Sequence, residues 1–312
     1  MRLPPLIAIG AICAACSPSG EDRPDLGEIG SISMNSLAPA ALLDNGPALS
    51  ALGAGALANA TTALVDSEMG QKLLKYVARC ALPEGDAVSF PLSGGGELEE
   101  PGLLGFAPEW KQGALDETAQ RVMTGCLMAH VNAFQIQVPI SVRTAGKGEA
   151  SPEEQQLFPA QEMSAFGNYF DADPAQRFLH ICFGEGVARA LGFEGGVGGG
   201  RPAYLDLRVC STQDACGFNR VGACFAWPQV LGIDKTACSD ASGSFYSGCH
   251  ERPIQLDPAT QTWDETVTVY LQEEHLAQLV EEYRQEACAV STLRCSGGAI
   301  CAPSPICDSV EL

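Results

Sequence analysis

Basic residues and histidines are scarce in this chain. Among 312 residues there are 18 lysines and arginines and four histidines, against 38 aspartates and glutamates. The net charge of −20 argues against nucleic acid and anionic lipid headgroups as partners, because the surface field repels both. Beyond residue 16, no apolar run approaches the roughly 18–20 residues of a membrane-spanning helix. The hydrophobic content of 46% is nevertheless sufficient for one sizeable core.

Motifs for catalysis and cofactor binding are also missing. Beyond residue 16, the cysteines lack the Cys-x-x-Cys spacing of zinc, haem or thiol-exchange sites. No Gly-x-Ser-x-Gly sequence marks a nucleophilic serine, and the glycine run 195–200 lacks the lysine of a phosphate-binding loop. Asp171 and Asp173 are spaced like the start of a calcium loop, but Asp173 before Pro174 fits a helix N-cap better. The sequence therefore predicts no catalytic residue, metal site or cofactor.

The first sixteen residues follow the layout of an export signal. Arg2 precedes an apolar run from Leu3 to Ala15, which is too short to span a bilayer and ends in small residues before Cys16. This segment resembles the lipobox of bacterial lipoproteins, although Cys13 stands where that family usually carries an aliphatic residue. The resemblance implies that the signal is removed and that Cys16 becomes the lipid-bearing N-terminus. We then expect the protein at a membrane of the cell envelope, in particular the outer membrane.

Cysteine, in contrast, is abundant, with 14 residues. After removal of Cys13 with the signal and lipidation of Cys16, an even twelve remain, which in an exported chain predicts up to six disulfides. These are Cys80, Cys126, Cys182, Cys210, Cys216, Cys224, Cys238, Cys249, Cys288, Cys295, Cys301 and Cys307. Cys80 and Cys126 lie on the apolar faces of two predicted helices, so they either pair with each other or form separate bridges to later cysteines. Two closely spaced sets, Cys210 with Cys216 and Cys295 with Cys301, are further candidate pairs.

Composition and periodicity divide the chain into four parts. These are a signal peptide (1–15), a lipid-anchored tether with a low-complexity arm (16–60), a main domain (61–272), and a C-terminal helix with a cysteine-rich tail (273–312). Residues 31–60 are either a loosely ordered arm or a helix-poor extension that packs on the domain.

The main domain shows both helical and strand periodicity. Helices are predicted to begin after Ser67, Asp116 and Ser151, and a last amphipathic helix covers 273–288. Strands are predicted at 87–90, 136–142, 178–183, 204–209, 221–227 and 266–271. Pro139 suggests an edge position for its strand, because proline cannot donate to a sheet. Since helices come first and no βαβα alternation appears, the sequence predicts a single α+β domain with short antiparallel strands, closed by disulfides.

Three histidines lie close to cysteines along the chain. His130 falls in the apolar stripe of the second predicted helix, where a buried structural role is commoner than catalysis. His180 near Cys182, and His250 beside Cys249, could pair a base with a sulfur nucleophile. Oxidation to a disulfide would exclude that role, so we expect both cysteines to be structural.

Three segments resemble a known group of proteins. They are Tyr76-Val77-Ala78-Arg79-Cys80-Ala81-Leu82-Pro83, the unit from Cys126 to Asn132 followed by Val138-Pro139-Ile140-Ser141, and Phe166-Gly167-Asn168-Tyr169-Phe170. Together they are similar to uncharacterised, cysteine-rich predicted envelope proteins that are common in myxobacteria. The resemblance spans about residues 70–270 and implies a shared exported domain. It carries over no activity and no functional residue.

Two functional hypotheses remain open at this stage. The first is an envelope lipoprotein whose disulfide-stabilised domain has a binding or structural role, with the membrane contacted through the lipid and an envelope protein or glycan as partner. The second is an exported hydrolase whose site is assembled from distant residues. A concave pocket with convergent histidine or acidic groups and an unpaired serine or cysteine would favour the hydrolase, whereas a convex, loop-covered surface with every cysteine paired would favour the binding role.

Overall fold

Two capped helices organise the first half of the structure. The computed structural model describes residues 32–134, 136–145, 150–192, 204–210, 218–225, 237–241, 244–250 and 261–295. Helix α4 (Glu68–Ala81) begins where Ser67 Oγ accepts a hydrogen bond from the Gly70 amide at 3.0 Å. Helix α5 (Glu117–His130) begins at Asp116, whose carboxylate accepts from the Ala119 amide at 2.8 Å. Both caps satisfy amides that the first helical turn leaves without a partner, which confirms both predicted helix starts.

The remaining elements follow in chain order. Before α4 lie β1 (Ile32–Asn35), α1 (Pro39–Leu43), α2 (Gly46–Gly53) and α3 (Thr62–Val65). Between α4 and α5 lie β2 (Ala87–Pro91) and β3 (Glu97–Pro101). After α5 come β4 (Val138–Thr144), α6 (Pro152–Leu157), β5 (Ala160–Asn168), β6 (Phe178–Phe183), α7 (Glu185–Ala190), α8 (Tyr204–Cys210) and β7 (Asn219–Ala223). The last are β8 (Cys238–Ala241), β9 (Tyr246–His250), β10 (Thr262–Trp263), β11 (Val267–Leu271) and α9 (Glu273–Cys295). Short 3₁₀ turns occupy Leu57–Asn59, Pro108–Lys111 and Pro174–Gln176.

A six-stranded sheet is the centre of the fold. Its strand order is β1-β4-β11-β5-β6-β7, antiparallel throughout except for the parallel pair β6 and β7. A second sheet has the order β10-β9-β8, and β2 and β3 form a hairpin. Helices and largely antiparallel strands thus share one structure, which confirms the predicted disulfide-stabilised α+β domain.

The two faces of the central sheet pack against different layers. Helix α5 covers one face so closely that a Cβ on Gly125 would lie 2.9 Å from the Ala165 carbonyl oxygen. On the other face, Ser164 and Thr268 are joined through their hydroxyls at 2.8 Å. Thr268 in turn accepts a hydrogen bond from the Tyr246 amide at 3.0 Å. Strand β9 and its small sheet therefore cover the face opposite α5.

Two predictions about individual elements are wrong. Residues 204–209 alternate apolar and polar types, as a strand would, but they form helix α8, in which all seven side chains are buried. Pro139 lies in a strand that pairs on both sides, with β1 and with β11, rather than at a sheet edge. Pairing with β11 ends at Ile140, so the missing N–H of Pro139 interrupts no hydrogen bond of that pair.

The segments flanking the predicted main domain belong to the same core. Strand β1 pairs with β4, and Leu42, Leu49 and Leu52 of α1 and α2 are fully buried. The described part of residues 31–60 is therefore an extension that packs on the domain. It is not helix-poor as predicted, because α1 and α2 lie in it. Helix α9 packs against α7 and α8, with Tyr283 edge-on to Tyr204. Within the described residues, no helix combines the length and apolarity needed to cross a membrane.

Candidate functional site

A disulfide between Cys80 and Cys126 fastens α4 to α5. The two Cα atoms are 6.1 Å apart, and both residues are fully buried. Of the two alternatives that the sequence leaves open for these cysteines, direct pairing is the one observed. Because the two helices carry the N-terminal half of the core, this bridge fixes their packing covalently.

Two further disulfides lie in contact behind the central sheet. Cys182–Cys224 joins strand β6 to the residue that directly follows the parallel strand β7. Cys238–Cys249 joins directly opposed residues of β8 and β9. The sulfurs of Cys182 and Cys238 are 3.9 Å apart. The two bridges therefore connect the edge of the central sheet to the small sheet through one buried sulfur cluster.

The structure describes the other predicted site residues only in part. Cys210 is also disulfide-bonded. The backbone of Cys288 and Cys295 lies in α9, but the structure does not describe their side chains. Outside the described residues are Cys16, Cys216, Cys301 and Cys307. The candidate pairs Cys210 with Cys216 and Cys295 with Cys301, the lipid site and the tail thus remain predictions.

The sulfur clusters have the composition of metal sites but not the chemistry. The sulfurs of Cys80 and Cys126 and a ring nitrogen of His130 lie within 4.8 Å of one another. The sulfurs of Cys182, Cys224 and Cys238 do so as well. Cysteine binds metal as the thiolate, and each of these sulfurs is already bonded to another sulfur. In this oxidised form both clusters are therefore covalent crosslinks.

His130 is a buried partner of the first disulfide. Its Nδ1 donates to the Cys126 carbonyl oxygen at 2.8 Å and lies 3.8 Å from the Cys80 sulfur. Its Nε2 is buried with no hydrogen-bond partner among the described residues. Burial lowers the pKa of this imidazole to about 4, so it is neutral at physiological pH. The neutral imidazole inside the core agrees with the structural role predicted for it.

Neither His180 nor His250 pairs with a cysteine thiolate among the described residues. Cys182 is oxidised, and the His180 ring stacks on Phe166 with centroids 5.2 Å apart. Burial lowers the pKa of His180 to about 4. Cys249, next to His250, is likewise held in a disulfide. Neither histidine–cysteine combination therefore offers a thiolate for catalysis.

The Asp171 and Asp173 carboxylates accept hydrogen bonds from the backbone. Asp171 accepts from the Asp173 amide at 2.8 Å, and Asp173 accepts from the Ala175 amide at 2.9 Å. Asp173 thereby caps the 3₁₀ turn that begins at Pro174. The N-cap interpretation of this pair is the one that the structure supports.

A pocket of about 240 Å³ opens where β5, α7, β9 and β11 meet. Its floor consists of three side chains that are at least nine-tenths buried, Gln161, Tyr246 and Tyr270. Its rim carries the half-buried Phe245 and two exposed charges of opposite sign, Glu185 and Arg189. Aromatic surfaces combined with a few convergent polar groups are typical of small-molecule sites. This pocket is the candidate functional site.

A β-bulge sets the floor of the pocket. Val269 of β11 pairs with Met163, but the next residue, Tyr270, pairs with Gln161, so β5 contains one extra residue at Glu162. The extra residue brings Gln161 to the side of the sheet on which Tyr270 lies. A bulge at this point therefore assembles two of the three floor residues.

The extra residue itself is buried in an ionic cluster. The Glu162 carboxylate accepts from Arg208 Nε at 2.9 Å and from the Tyr204 hydroxyl at 2.7 Å. All three side chains are almost completely inaccessible to solvent. Because a buried charge is tolerated only when it is paired and hydrogen-bonded, this cluster fixes the bulge in place.

Helix α7 approaches the bulge at van der Waals distance because of two glycines. A Cβ on Gly186 would lie 2.5 Å from the Gln161 carbonyl oxygen, and one on Gly184 would lie 2.6 Å from Gln161 Cγ. Any larger residue would push the helix away from the strand. The glycines thus place Glu185 and Arg189 at the rim of the pocket.

Both floor phenols stay protonated and can donate hydrogen bonds. Burial, reinforced by the negative charge of Glu185, raises the pKa of Tyr246, while the facing Gln161 amide acts in the opposite direction. Burial also raises the pKa of Tyr270, and the Arg143 guanidinium opposes it. Arg143 lies 3.8 Å over the Tyr270 ring and donates to the Phe158 carbonyl oxygen at 3.1 Å. These contacts hold the Tyr270 ring against movement.

One polar atom in the floor lacks a partner. Gln161 Oε1 accepts from the Glu185 amide at 3.3 Å, but Gln161 Nε2 makes no hydrogen bond of normal geometry with any described residue. Although the Gln161 amide acts on the pKa of Tyr246, Nε2 forms no hydrogen bond of normal distance and angle with that phenol. A buried donor left without an acceptor costs about 1–3 kcal/mol. An oxygen atom of a ligand in the pocket would satisfy it.

The sequence offered no signal for these pocket residues. They come from four elements, and their spacing follows no motif. The convergence of Gln161 with Tyr270 depends on the bulge, and Tyr246 enters the pocket through the pairing of β9. In comparisons with protein families, curated proteins and solved structures, no match to this chain was found.

Proposed function

We propose that this chain is a cell-envelope lipoprotein whose disulfide-stabilised domain binds a small ligand. The observation that carries the binding role is the pocket, whose floor presents buried donors from Gln161, Tyr246 and Tyr270. Its described lining holds one carboxylate, Glu185, but no serine or cysteine that could act as a nucleophile and no histidine or second acidic group beside it. The exported hydrolase, the second hypothesis, therefore receives no support from the described pocket.

The envelope location rests on the N-terminal sequence. Arg2, the short apolar run and Cys16 resemble a lipoprotein signal. The resemblance to uncharacterised, cysteine-rich predicted envelope proteins of myxobacteria also supports export. The buried disulfides fit an oxidising compartment. The lipid on Cys16 would hold the domain at the outer membrane, and residues 17–30, rich in polar residues, proline and glycine, would serve as the tether.

Lipid labelling tests the anchor. In a bacterial host fed a palmitate analogue, the wild-type chain should be labelled and should sediment with membranes, whereas Cys16→Ser should lose both properties. Cys13→Leu is the matched control, because Cys13 leaves with the signal and the aliphatic residue that the lipobox usually carries at this position should preserve labelling. Labelling of the Cys16→Ser variant at the wild-type level would contradict the anchor.

Thermal stability tests the binding role. Small-molecule fractions of a bacterial envelope extract should contain one that raises the melting temperature of the full chain, because a ligand that binds only the folded state stabilises it. Tyr246→Phe should reduce this shift. Tyr169→Phe, which removes a hydroxyl bonded to the Leu43 carbonyl oxygen away from the pocket, should retain it. No shift with any fraction, or equal shifts in all three proteins, would contradict a ligand role for the pocket.

A further inference from the structure

The buried floor of the pocket is polar but uncharged. Gln161, Tyr246 and Tyr270 are 5–8% exposed, and they present an amide and two protonated phenols. A charged group pressed against this floor would lose its hydration without gaining an ion-pair partner there. The floor therefore favours a neutral ligand that carries hydrogen-bonding oxygens.

The charges of the pocket lie at the rim and are of both signs. Glu185 and Arg189 are four residues apart on α7, and both are solvent-exposed. A carboxylate and a guanidinium can accept from and donate to hydroxyl groups without requiring a net charge on the ligand. Together, floor and rim offer donors and acceptors on two sides of one cavity.

The size and the aromatic content of the pocket further restrict the class of ligand that it can bind. A volume of about 240 Å³ falls below the roughly 300–1,000 Å³ of drug-sized pockets. Phe245, Tyr246 and Tyr270 add apolar ring surface beside the polar groups. A pyranose ring combines these requirements, because it is small and neutral and carries hydroxyls around its edge and C–H groups on its faces.

We propose that this pocket binds a single neutral sugar ring, either a free monosaccharide or the terminal residue of a glycan. A ring or hydroxyl oxygen accepts from Gln161 Nε2, the phenols of Tyr246 and Tyr270 bond further hydroxyls, and Glu185 and Arg189 bond those at the rim. This inference rests on the binding role proposed above and names the class of its ligand.

Saturation-transfer NMR on the oxidised full chain tests the ligand class. Glucose, galactose and N-acetylglucosamine are each added at up to about 10 mM, because ligands of this size bind weakly. Glycine and alanine serve as zwitterionic probes of similar or smaller size. At least one sugar should receive magnetisation from the protein, and the amino acids should not. Transfer to the amino acids alone, or to none of the probes, would overturn the proposal.

Variants then locate the binding. Tyr246→Phe and Glu185→Gln should each weaken sugar binding about two- to tenfold, the range expected for one lost hydrogen bond. Glu185 is exposed, so its variant should fold normally even if a floor variant does not. Tyr169→Phe and Glu153→Gln, both outside the pocket, should bind as the wild type does. Equal affinity in all five proteins would place the sugar elsewhere and overturn the proposal.

Methyl glycosides distinguish the two sources of the sugar. If a methyl glycoside of the bound sugar binds as tightly as the free sugar, the ligand is the end of a glycan. If methylation abolishes binding, the ligand is a free monosaccharide. The test of the ligand class can fail without the test of the binding role. If an envelope fraction stabilises the protein but no sugar binds, the sugar proposal is wrong and the proposed binding role still stands.

Discussion

At the scale of single residues, the core contains two imidazoles held in their neutral form. His130 is fully inaccessible and His180 is 2% exposed, and burial lowers the pKa of each to about 4. In the unfolded chain a histidine titrates near 6.5. Between these two values the unfolded state binds more protons than the folded state, so stability falls as the pH decreases from about 6.5 towards 4.

The substitution His130→Asn should therefore reduce the pH dependence of stability. One such histidine lowers the free energy of unfolding by about 2 kcal/mol between pH 7.5 and pH 5. The variant keeps a donor near the position of Nδ1 but cannot titrate, so its loss over this interval should be smaller by about that amount. Urea unfolding at both pH values measures the difference.

His275→Asn provides the comparison for this experiment. His275 is only half-buried, and its pKa is lowered by burial but raised in part by Glu274. Replacing His275 should therefore change the pH dependence of stability less than replacing His130 does. Identical pH dependence in the wild type and His130→Asn would show that the buried imidazole is not held neutral.

At the scale of elements, local signals predicted the helices that carry their own start signals. Ser67, Asp116 and Ser151 each cap the helix that was predicted to begin there, through a side-chain oxygen that accepts from a backbone amide three residues later. Because each of these interactions involves residues only three positions apart, the local sequence is enough to predict it. The strands at 178–183 and 266–271 were predicted for the same reason, from a short apolar run.

Helix α8 shows where local signals fail. Leu205, Leu207 and Val209 alternate with polar residues, which is the pattern of a half-buried strand. In the structure the polar residues are buried as well, because Arg208 pairs with Glu162 and Asp206 pairs with Arg220. Since both partners come from other elements, periodicity in 204–209 could not reveal them. The sequence did not predict the pocket for a similar reason, because the pocket depends on the bulge in β5, which local periodicity does not show.

At the scale of the whole molecule, the three disulfides whose two cysteines are both described follow one another along the chain without overlap. The bridges close loops of 46, 42 and 11 residues between Cys80 and Cys249. Loops that do not overlap restrict the unfolded chain independently, so their stabilising effects should add to a first approximation. They fasten α4 to α5, β6 to the end of β7, and β8 to β9. Each layer of the fold thereby carries its own crosslink.

Loop length then predicts an order of importance among the bridges. Closure of a 46-residue loop stabilises by about 4 kcal/mol, whereas closure of an 11-residue loop stabilises by about 3 kcal/mol. Replacing Cys80 and Cys126 together by alanine should therefore lower the free energy of unfolding by more than replacing Cys238 and Cys249. Guanidinium unfolding of the two double variants, under non-reducing conditions, measures both losses. A larger loss for the Cys238 and Cys249 pair would contradict an order set by loop length alone. It would indicate that the contact between the Cys238 and Cys182 sulfurs, which joins the central sheet to the small sheet, adds to the contribution of this bridge.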